Sequence, residues 1–391
     1  MDIYEENLRT PVTGAYDVLV AGGGVAGVAA ALSAARAGAK TLLIEREYML
    51  GGLATAGLIA IYLPLCDGNG RQVSFSIAEE LLRVAIKRRP IHPPEVWLTP
   101  HSLEERVLSR RRFDAAYDPY LFAMDMEPLL LEAGVTLRYG TCAVAAHTRG
   151  SEIDIVAVES KSGREAVRVG AAVDATGDAD LCRLAGAETR TYSRGNLLAG
   201  WYYSASPYTL RGVGWAEKPE DWKTGEEAPP LEERRFSGLD AGEITDMMIL
   251  SHKHTLAHFE ALREKDPDAT VASISSIPQL RMTRRLHGLV TPDHDAPYTE
   301  YPDCVGIVGD WRRSGAYQIP LGMLRGRDIG NLFAAGRCVS AQDGLWDAVR
   351  VIPACAVTGE AAGLAAALYR GGLDAAQVRE ALLARGALLS F

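Results

Sequence analysis

Consecutive apolar positions mark Tyr16-Asp17-Val18-Leu19-Val20-Ala21 as a buried strand. An alanine-rich helix is predicted from Val25 to Ala37, closed by Gly38, a residue type that adopts the left-handed turn after a helix at low cost. Thr41-Leu42-Leu43-Ile44 is the second strand. Strand, turn, helix and strand at this spacing form a βαβ unit, two parallel strands joined by a right-handed crossover. Beyond about residue 60 the pattern loosens.

Further on, Phe113 to Glu132 is mainly helical in pattern and Val135-Thr136-Leu137-Arg138-Tyr139 is a strand. Apolar arms from Ile153 to Val158 and from Ala166 to Val173 flank the turn signal Lys161-Ser162-Gly163-Arg164, which predicts a β-hairpin. A Pro/Glu-rich loop follows at Lys218 to Leu231, then a helix from Ala241 to Glu264. Asn331-Leu332-Phe333-Ala334-Ala335 is a last buried strand, followed by a small-residue helix from about Pro353 to Leu368. Asp374-Ala375-Ala376-Gln377 carries a capping-box pattern and opens a terminal helix. The expected class is α/β, with a parallel sheet in the nucleotide-binding part and an α+β substrate part built from insertions.

Composition narrows the partners. The 391 residues are 48% hydrophobic, enough for a sizeable core, and the net charge of -9 offers no electrostatic ground for binding nucleic acid or an anionic membrane. Arg110-Arg111-Arg112 and Lys87-Arg88-Arg89 are local basic runs without interleaved aromatics, so they do not alter that expectation. A small-molecule substrate is the expected partner, with a second copy or a partner subunit left open. No run of about eighteen apolar residues occurs, and Met1 to Glu6 lack the basic and apolar regions of a secretory signal. A cytoplasmic protein is expected. The six cysteines are scattered without a CxxC pair, so buried free thiols are expected rather than a zinc ribbon or a redox dithiol.

Gly22-Gly23-Gly24-Val25-Ala26-Gly27 matches GxGxxG between a strand and a helix. Gly22 permits the tight turn, Gly24 lets backbone approach a pyrophosphate, and Gly27 allows close helix–strand packing. The N–H groups opening the helix, from Val25 and Ala26 onward, face the phosphates with the positive end of the helix dipole. Glu45 ends the second strand about twenty residues past the turn, where a carboxylate accepts ribose hydroxyls. These features establish an adenosine diphosphate ligand without separating FAD from NAD.

The blocks Glu45-Arg46-Glu47-Tyr48-Met49-Leu50-Gly51-Gly52-Leu53-Ala54-Thr55-Ala56-Gly57, Val173 to Asp180, Arg281 to Arg285, Asn331 to Ser340 and Arg350 to Gly363 carry a further likeness. In this order they resemble the FAD-dependent oxidoreductase family of glutathione-reductase-like flavoproteins. The resemblance implies a Rossmann-type FAD/NAD(P)-binding fold and FAD as cofactor. It implies a discontinuous FAD-binding domain from residues 1–60, 110–190 and 325–391, with 61–109 and 191–324 as substrate or cap domain. It implies cofactor contacts from Arg46, Gly51, Gly52, Leu53, Ala54 and Thr55, from Ala143, from Ala175, Thr176 and Gly177, from Gly336 and Arg337, and from Ile352, Ala354 and Cys355. Many relatives have Asp where Arg337 stands, and an arginine there favours phosphate. The start of the last helix would face the flavin pyrimidine edge, where N–H dipoles stabilise negative charge on the reduced ring.

The expected reaction is hydride transfer between a small organic substrate and flavin N5. The alternatives are an electron-transfer or accessory flavin subunit of a larger complex and a flavin-free NAD-dependent dehydrogenase. A second GxGxxG and the CxxxxC disulfide of glutathione reductases are both missing, so electrons enter from a substrate or bound donor. His287 and Tyr317 are candidate general bases, and Arg281, with Arg284 and Arg285, either holds an anionic substrate or the flavin, or forms structural ion pairs. Asp310 to Pro320 concentrates polar, aromatic and cationic groups before the last strand. Trp201, Tyr202 and Tyr203 are either a wall of the substrate pocket or sheet core. His254 and His258, spaced i, i+4 on a helix, lack an HExxH frame, so no metal is expected.

Overall fold

Alternate side chains of the first strand point to opposite faces, and both faces are covered. The computed structural model describes residues 2–67, 71–88, 114–207, 209–214, 233–310 and 315–391. In it β1 (Val12–Ala21) runs parallel between β2 (Thr41–Ile44) and the long strand Gly163–Asp174. Val18 and Val20 enter one apolar cluster with helix α1 (Val25–Arg36), while Leu19 and Ala21 enter a second on the opposite face. Burial on both sides accounts for the unbroken apolar run, because a covered parallel strand needs no polar alternation.

Strand Thr136–Arg138 extends the sheet beyond β2, and Leu332–Ala334 pairs with the C-terminal end of Gly163–Asp174. The expected hairpin forms, with arms Glu152–Ser160 and Gly163–Asp174, and a further antiparallel strand, Cys142–Arg149, adds to its edge. β1 begins at Val12, earlier than the apolar run, because Val12 to Tyr16 pairs with Ala166 to Val169 on the long strand. The helix expected from Phe113 starts at Pro119 instead. Its N-cap Asp118 accepts N–H bonds from Tyr120 and Leu121, Pro119 takes the first helical position, and Ala115–Ala116 is a short strand. Phe113 itself, the loop from Lys218 to Leu231, and the basic residues Arg89 and Arg110 to Arg112 lie outside the described residues.

Helix Ile352–Leu368 lies directly against α1, with Gly359 beside the Ala26 carbonyl and Gly363 beside that of Ala30. Two glycines one turn apart remove the side chains that would hold the helices apart. The same core takes in helix Ile77–Ile86, whose first N–H is accepted by the buried Glu360 carboxylate at 3.2 Å, and the hairpin Cys304–Gly309/Ala316–Pro320. A separate antiparallel sheet has Trp201–Ser206 between Thr209–Gly214 and Thr270–Ile274. Tyr202, Phe236, Met247 and Phe259 pack it against helix Ala241–Arg263, which is capped by Asp240. Among the described residues no single helix is long and apolar enough to cross a membrane.

Candidate functional site

The turn after β1 holds its shape through backbone contacts that side chains would prevent. Gly22 has φ +101°, and a Cβ there would sit 2.4 Å from the Ala175 carbonyl oxygen; a Cβ on Gly27 would fall 1.8 Å from the carbonyl oxygen of Gly22. Gly24 differs. A Cβ at Gly24 would meet no atom within 4 Å, and its φ of -62° and ψ of 175° suit any residue. The open space in front of Gly24 is a cleft.

A second glycine turn closes the other wall. The Gly51 N–H donates to the Gly23 carbonyl at 2.8 Å, and Gly51 and Gly52 both adopt positive φ. Thr55, fully buried, fixes this turn through its hydroxyl bond to the Leu50 carbonyl. Glu45 locks the two turns at their junction: one carboxylate oxygen accepts the Gly23 N–H at 2.6 Å and the other the Glu47 N–H at 2.8 Å. A carboxylate has about four acceptor sites, so capacity remains for ribose hydroxyls. Burial raises the Glu45 pKa above the ordinary glutamate value, against the lowering effect of those two N–H bonds.

Glu45 therefore carries a pH prediction. Below its raised pKa the carboxyl is protonated and loses acceptor capacity, so FAD affinity should fall as pH falls, beginning above the ordinary glutamate range near ~4.3. Glu45→Gln should bind FAD more weakly at neutral pH and lack this acid limb. Equilibrium dialysis across pH checks it, and an acid limb of equal size in both proteins would refute it.

The third wall comes from the end of strand Gly163–Asp174. Asp174 is wholly buried and accepts the Thr176 N–H at 3.1 Å, the Thr176 hydroxyl at 2.7 Å and the Cys182 N–H at 2.7 Å, which shapes the Ala175-Thr176-Gly177 turn. Asp174→Ala would strand those buried donors, and we expect a loss of ~3–5 kcal/mol, read as a shifted urea midpoint. A loss under ~1 kcal/mol would show that the turn does not depend on the carboxylate.

The cleft is lined by Gly22, Gly24, Val25, Ala26, Glu45, Arg46, Gly51, Gly52, Leu53, Ala54, Ala175, Thr176, Gly177, Gly336, Arg337, Ile352 and Cys355. Ala143 lines an adjoining recess with Glu45 and Thr176. Gly27, Thr55 and Ala354 stand behind the wall: Gly27 against Gly22, Thr55 under the second turn, and Ala354 buried in its helix. Gly359, whose block carries part of the sequence likeness, acts in helix packing rather than at the cleft surface.

Several lining residues carry no sequence signal of their own. Glu47, Asp178, Ala335 and Arg350 flank motif positions, whereas Ile277, Pro278 and Leu280 come from a distant segment without a motif. That segment is tied to the second turn, since the Ser276 N–H and Ser275 hydroxyl both donate to the Ala56 carbonyl, at 3.1 and 3.2 Å. Arg337 crosses between the two parts, with its guanidinium 3.3 Å from Asp178 and bonded to the Leu280 carbonyl. These partners occupy the group expected to favour phosphate.

Two helices present their N-termini to the cleft. Neither α1 nor Ile352–Leu368 has a side-chain cap, so the first N–H groups of both are left to a ligand or solvent. Arg350 lies beside the second of these N-termini, paired with Asp347, and its buried Nε has no hydrogen-bond partner among the described residues. Burial lowers its pKa to about 10, which leaves it cationic at neutral pH. Cys355 donates to the Arg350 carbonyl at 3.1 Å, and burial pushes its thiol up to about 12, so it is a neutral donor rather than a nucleophile. An open glycine and two uncapped helix ends on one cleft fit a long anionic dinucleotide.

The candidate catalytic residues stand elsewhere. His287 lies 2.9 Å from Glu188. The Tyr317 hydroxyl donates to the His294 carbonyl at 2.9 Å, and the Arg281 N–H donates to Asn196 at 2.9 Å. None of the three is among the residues lining the cleft. Arg284 pairs with Asp180 at 2.6 Å, and Arg285 pairs with Asp343 at 3.3 Å and covers the Trp346 ring, so these two form structural ion pairs. Trp311 to Ser314 lie outside the described residues. His258 accepts or donates a 3.0 Å bond with Tyr202, and the group able to converge on a metal among the described residues is instead the sequence-adjacent Asp293-His294-Asp295. Cys66, Cys182, Cys304 and Cys338 are buried free thiols, Cys355 is half-buried, and Cys142 is exposed contrary to expectation because its strand forms the sheet edge.

The family described as FAD dependent oxidoreductase matches this chain over residues 17–200 and 305–385. No curated protein sequence matches. Among solved structures, a geranylgeranyl bacteriochlorophyll reductase-like protein from Thermoplasma acidophilum is 15% identical, with a TM-score of 0.47 over 96% of this chain and 84% of that one. The flavin-dependent brominase Bmp2 is 14% identical, with a TM-score of 0.47 over 95% and 83% of the two chains. An anhydrotetracycline hydroxylase from Streptomyces rimosus is 14% identical, with a TM-score of 0.44 over 95% and 65%. Likeness at this level decides nothing about the substrate.

Proposed function

The chain belongs to the FAD-dependent oxidoreductase family, and from that premise we propose that it oxidises or reduces a small organic molecule by hydride transfer. FAD, when bound, supplies a ring that takes up or gives up a hydride at N5. The observation that carries the reading is the convergence of two uncapped helix N-termini on one cleft walled by the glycine turns. The backbone N–H groups of Val25 and Ala26 hold the pyrophosphate, and Glu45 holds the ribose. At the far end, the N-terminus of Ile352–Leu368 and the Arg350 guanidinium place positive potential where the flavin ring would carry charge after reduction. Loss of Arg350 would therefore favour the oxidised cofactor.

The test is a substrate screen on the purified flavoprotein under anaerobic conditions. A substrate that donates hydride bleaches the oxidised flavin band, and one that accepts it restores the band after chemical reduction. Reduction only by a partner protein, with no small molecule active in either direction, would replace the enzyme reading with that of an electron-transfer subunit.

A further inference from the structure

Beyond the nucleotide cleft, two of the segments that line it also contribute to a second cavity of about 360 Å³. Leu53 and Ala54 line the cleft, and the same loop then lines the cavity with Leu58 to Ile61. Ile277, Pro278 and Leu280 line the cleft, and Ala272 and Ser273 of the preceding strand line the cavity. The Tyr117 hydroxyl spans the loop, its one proton shared between the carbonyls of Ala54 at 2.8 Å and Ile59 at 3.0 Å. Cleft and cavity are thus built in part from the same two chain segments, with no lining residue in common.

The cavity offers aromatic surface and, among its described lining residues, no cationic group. Tyr117, Tyr120, Trp201 and Tyr203 contribute rings, Leu58 and Ile59 aliphatic groups, and no lysine or arginine stands among its described lining residues. Several of its polar groups are engaged within the protein: Tyr120 with Ser273, Tyr202 with His258, and one oxygen of the Asp118 carboxylate with the N–H groups that it caps. An anion entering here would lose its water without gaining a cation, whereas a flat apolar ring would gain contacts with the aromatic and aliphatic lining. An apolar protein cavity of about 150 Å³ holds benzene, so this one has room for about two fused rings.

We propose that this cavity is the substrate site and that it takes a neutral, largely apolar molecule built on a one- or two-ring system. The proposal rests on the hydride-transfer reading for its chemistry, while the binding itself does not depend on that reading. The arginines at 281–285 are thereby removed from substrate recognition.

The experiment uses the FAD-loaded protein and two probes of one shape, neutral 2-naphthol and anionic 2-naphthoate, followed by calorimetry and by the flavin absorption band at pH 7. The expected result is that 2-naphthol binds and perturbs the flavin band, and that 2-naphthoate binds at least ~100-fold more weakly. Ala272→Trp fills the cavity from an exposed rim position and should weaken 2-naphthol by ~10-fold or more without changing flavin content. Gly212→Trp, entering from the opposite strand where a Cβ meets the Tyr203 ring at an ordinary 3.5 Å, repeats the test independently. Equal binding of the two probes, 2-naphthol binding unchanged in both variants, or a flavin band unmoved by bound 2-naphthol would overturn the proposal. Binding as expected, with no substrate found in the anaerobic screen, would count against hydride transfer alone.

Discussion

Gly24→Trp is expected to fold as well as the parent protein and to purify without FAD. The backbone at Gly24 lies in a region open to all residues, and its missing side chain would project into the cleft with no atom within 4 Å, so the folded protein has nothing to displace. The indole would instead fill the path of the pyrophosphate. Losing two charge-assisted hydrogen bonds at ~1.5–3 kcal/mol each predicts a fall in affinity of ~100-fold or more. Far-UV circular dichroism and a thermal melt of the apoproteins report folding, and the visible spectrum reports cofactor. Gly27→Val is the contrasting variant: its Cβ collides with the Gly22 carbonyl, so it should lose the fold along with the flavin. Stoichiometric FAD in folded Gly24→Trp would displace the phosphates from this turn.

Gly359→Leu should destabilise the protein strongly although the residue lies outside the cleft surface. A Cβ at this position would lie 2.2 Å from the Ala26 carbonyl oxygen, which is backbone of α1 and cannot rotate away. At an exposed helical site, glycine to alanine stabilises by up to ~1 kcal/mol. Here the sign should reverse, with Gly359→Ala already destabilising and Gly359→Leu costing on the order of 3 kcal/mol or more as the helices separate. Chemical denaturation of the two apoprotein variants measures the order. A stabilised Gly359→Ala would mean that the helices yield easily. Because α1 opens the phosphate end of the cleft and Ile352–Leu368 opens its far end, separating them should also weaken FAD.

The βαβ unit was legible because its information is local. Val18, Val20 and Gly22 to Gly27 are neighbours in the chain as well as in space, and burial on both sheet faces leaves an apolar run that few other elements imitate. Glu45 was legible for the same reason, since a short crossover fixes where the second strand ends. The edge strand Cys142–Arg149 was less so, because a half-exposed strand has a mixed pattern and is defined by pairing with Glu152–Ser160. Glycine motifs mislead in a different way: Gly24 and Gly359 look alike in a sequence, yet one leaves room for a ligand and the other for a helix.

From the sequence alone came the adenosine-diphosphate fingerprint, the FAD family and the absence of a second nucleotide fingerprint or a CxxxxC pair. Tertiary structure decided the rest. Arg337 meets Asp178 and Leu280, Arg285 covers Trp346, and Ser275 and Ser276 reach Ala56, all across separations that no periodicity records. Those contacts make Arg285 an ion-pair partner and tie Arg337, which lines the cleft, to two of its walls, and the same long-range packing brings Tyr117, Tyr120 and Trp201 around one aromatic cavity. The physical reason is that charge and aromaticity are properties of a residue, whereas availability to a ligand depends on which neighbours the fold supplies.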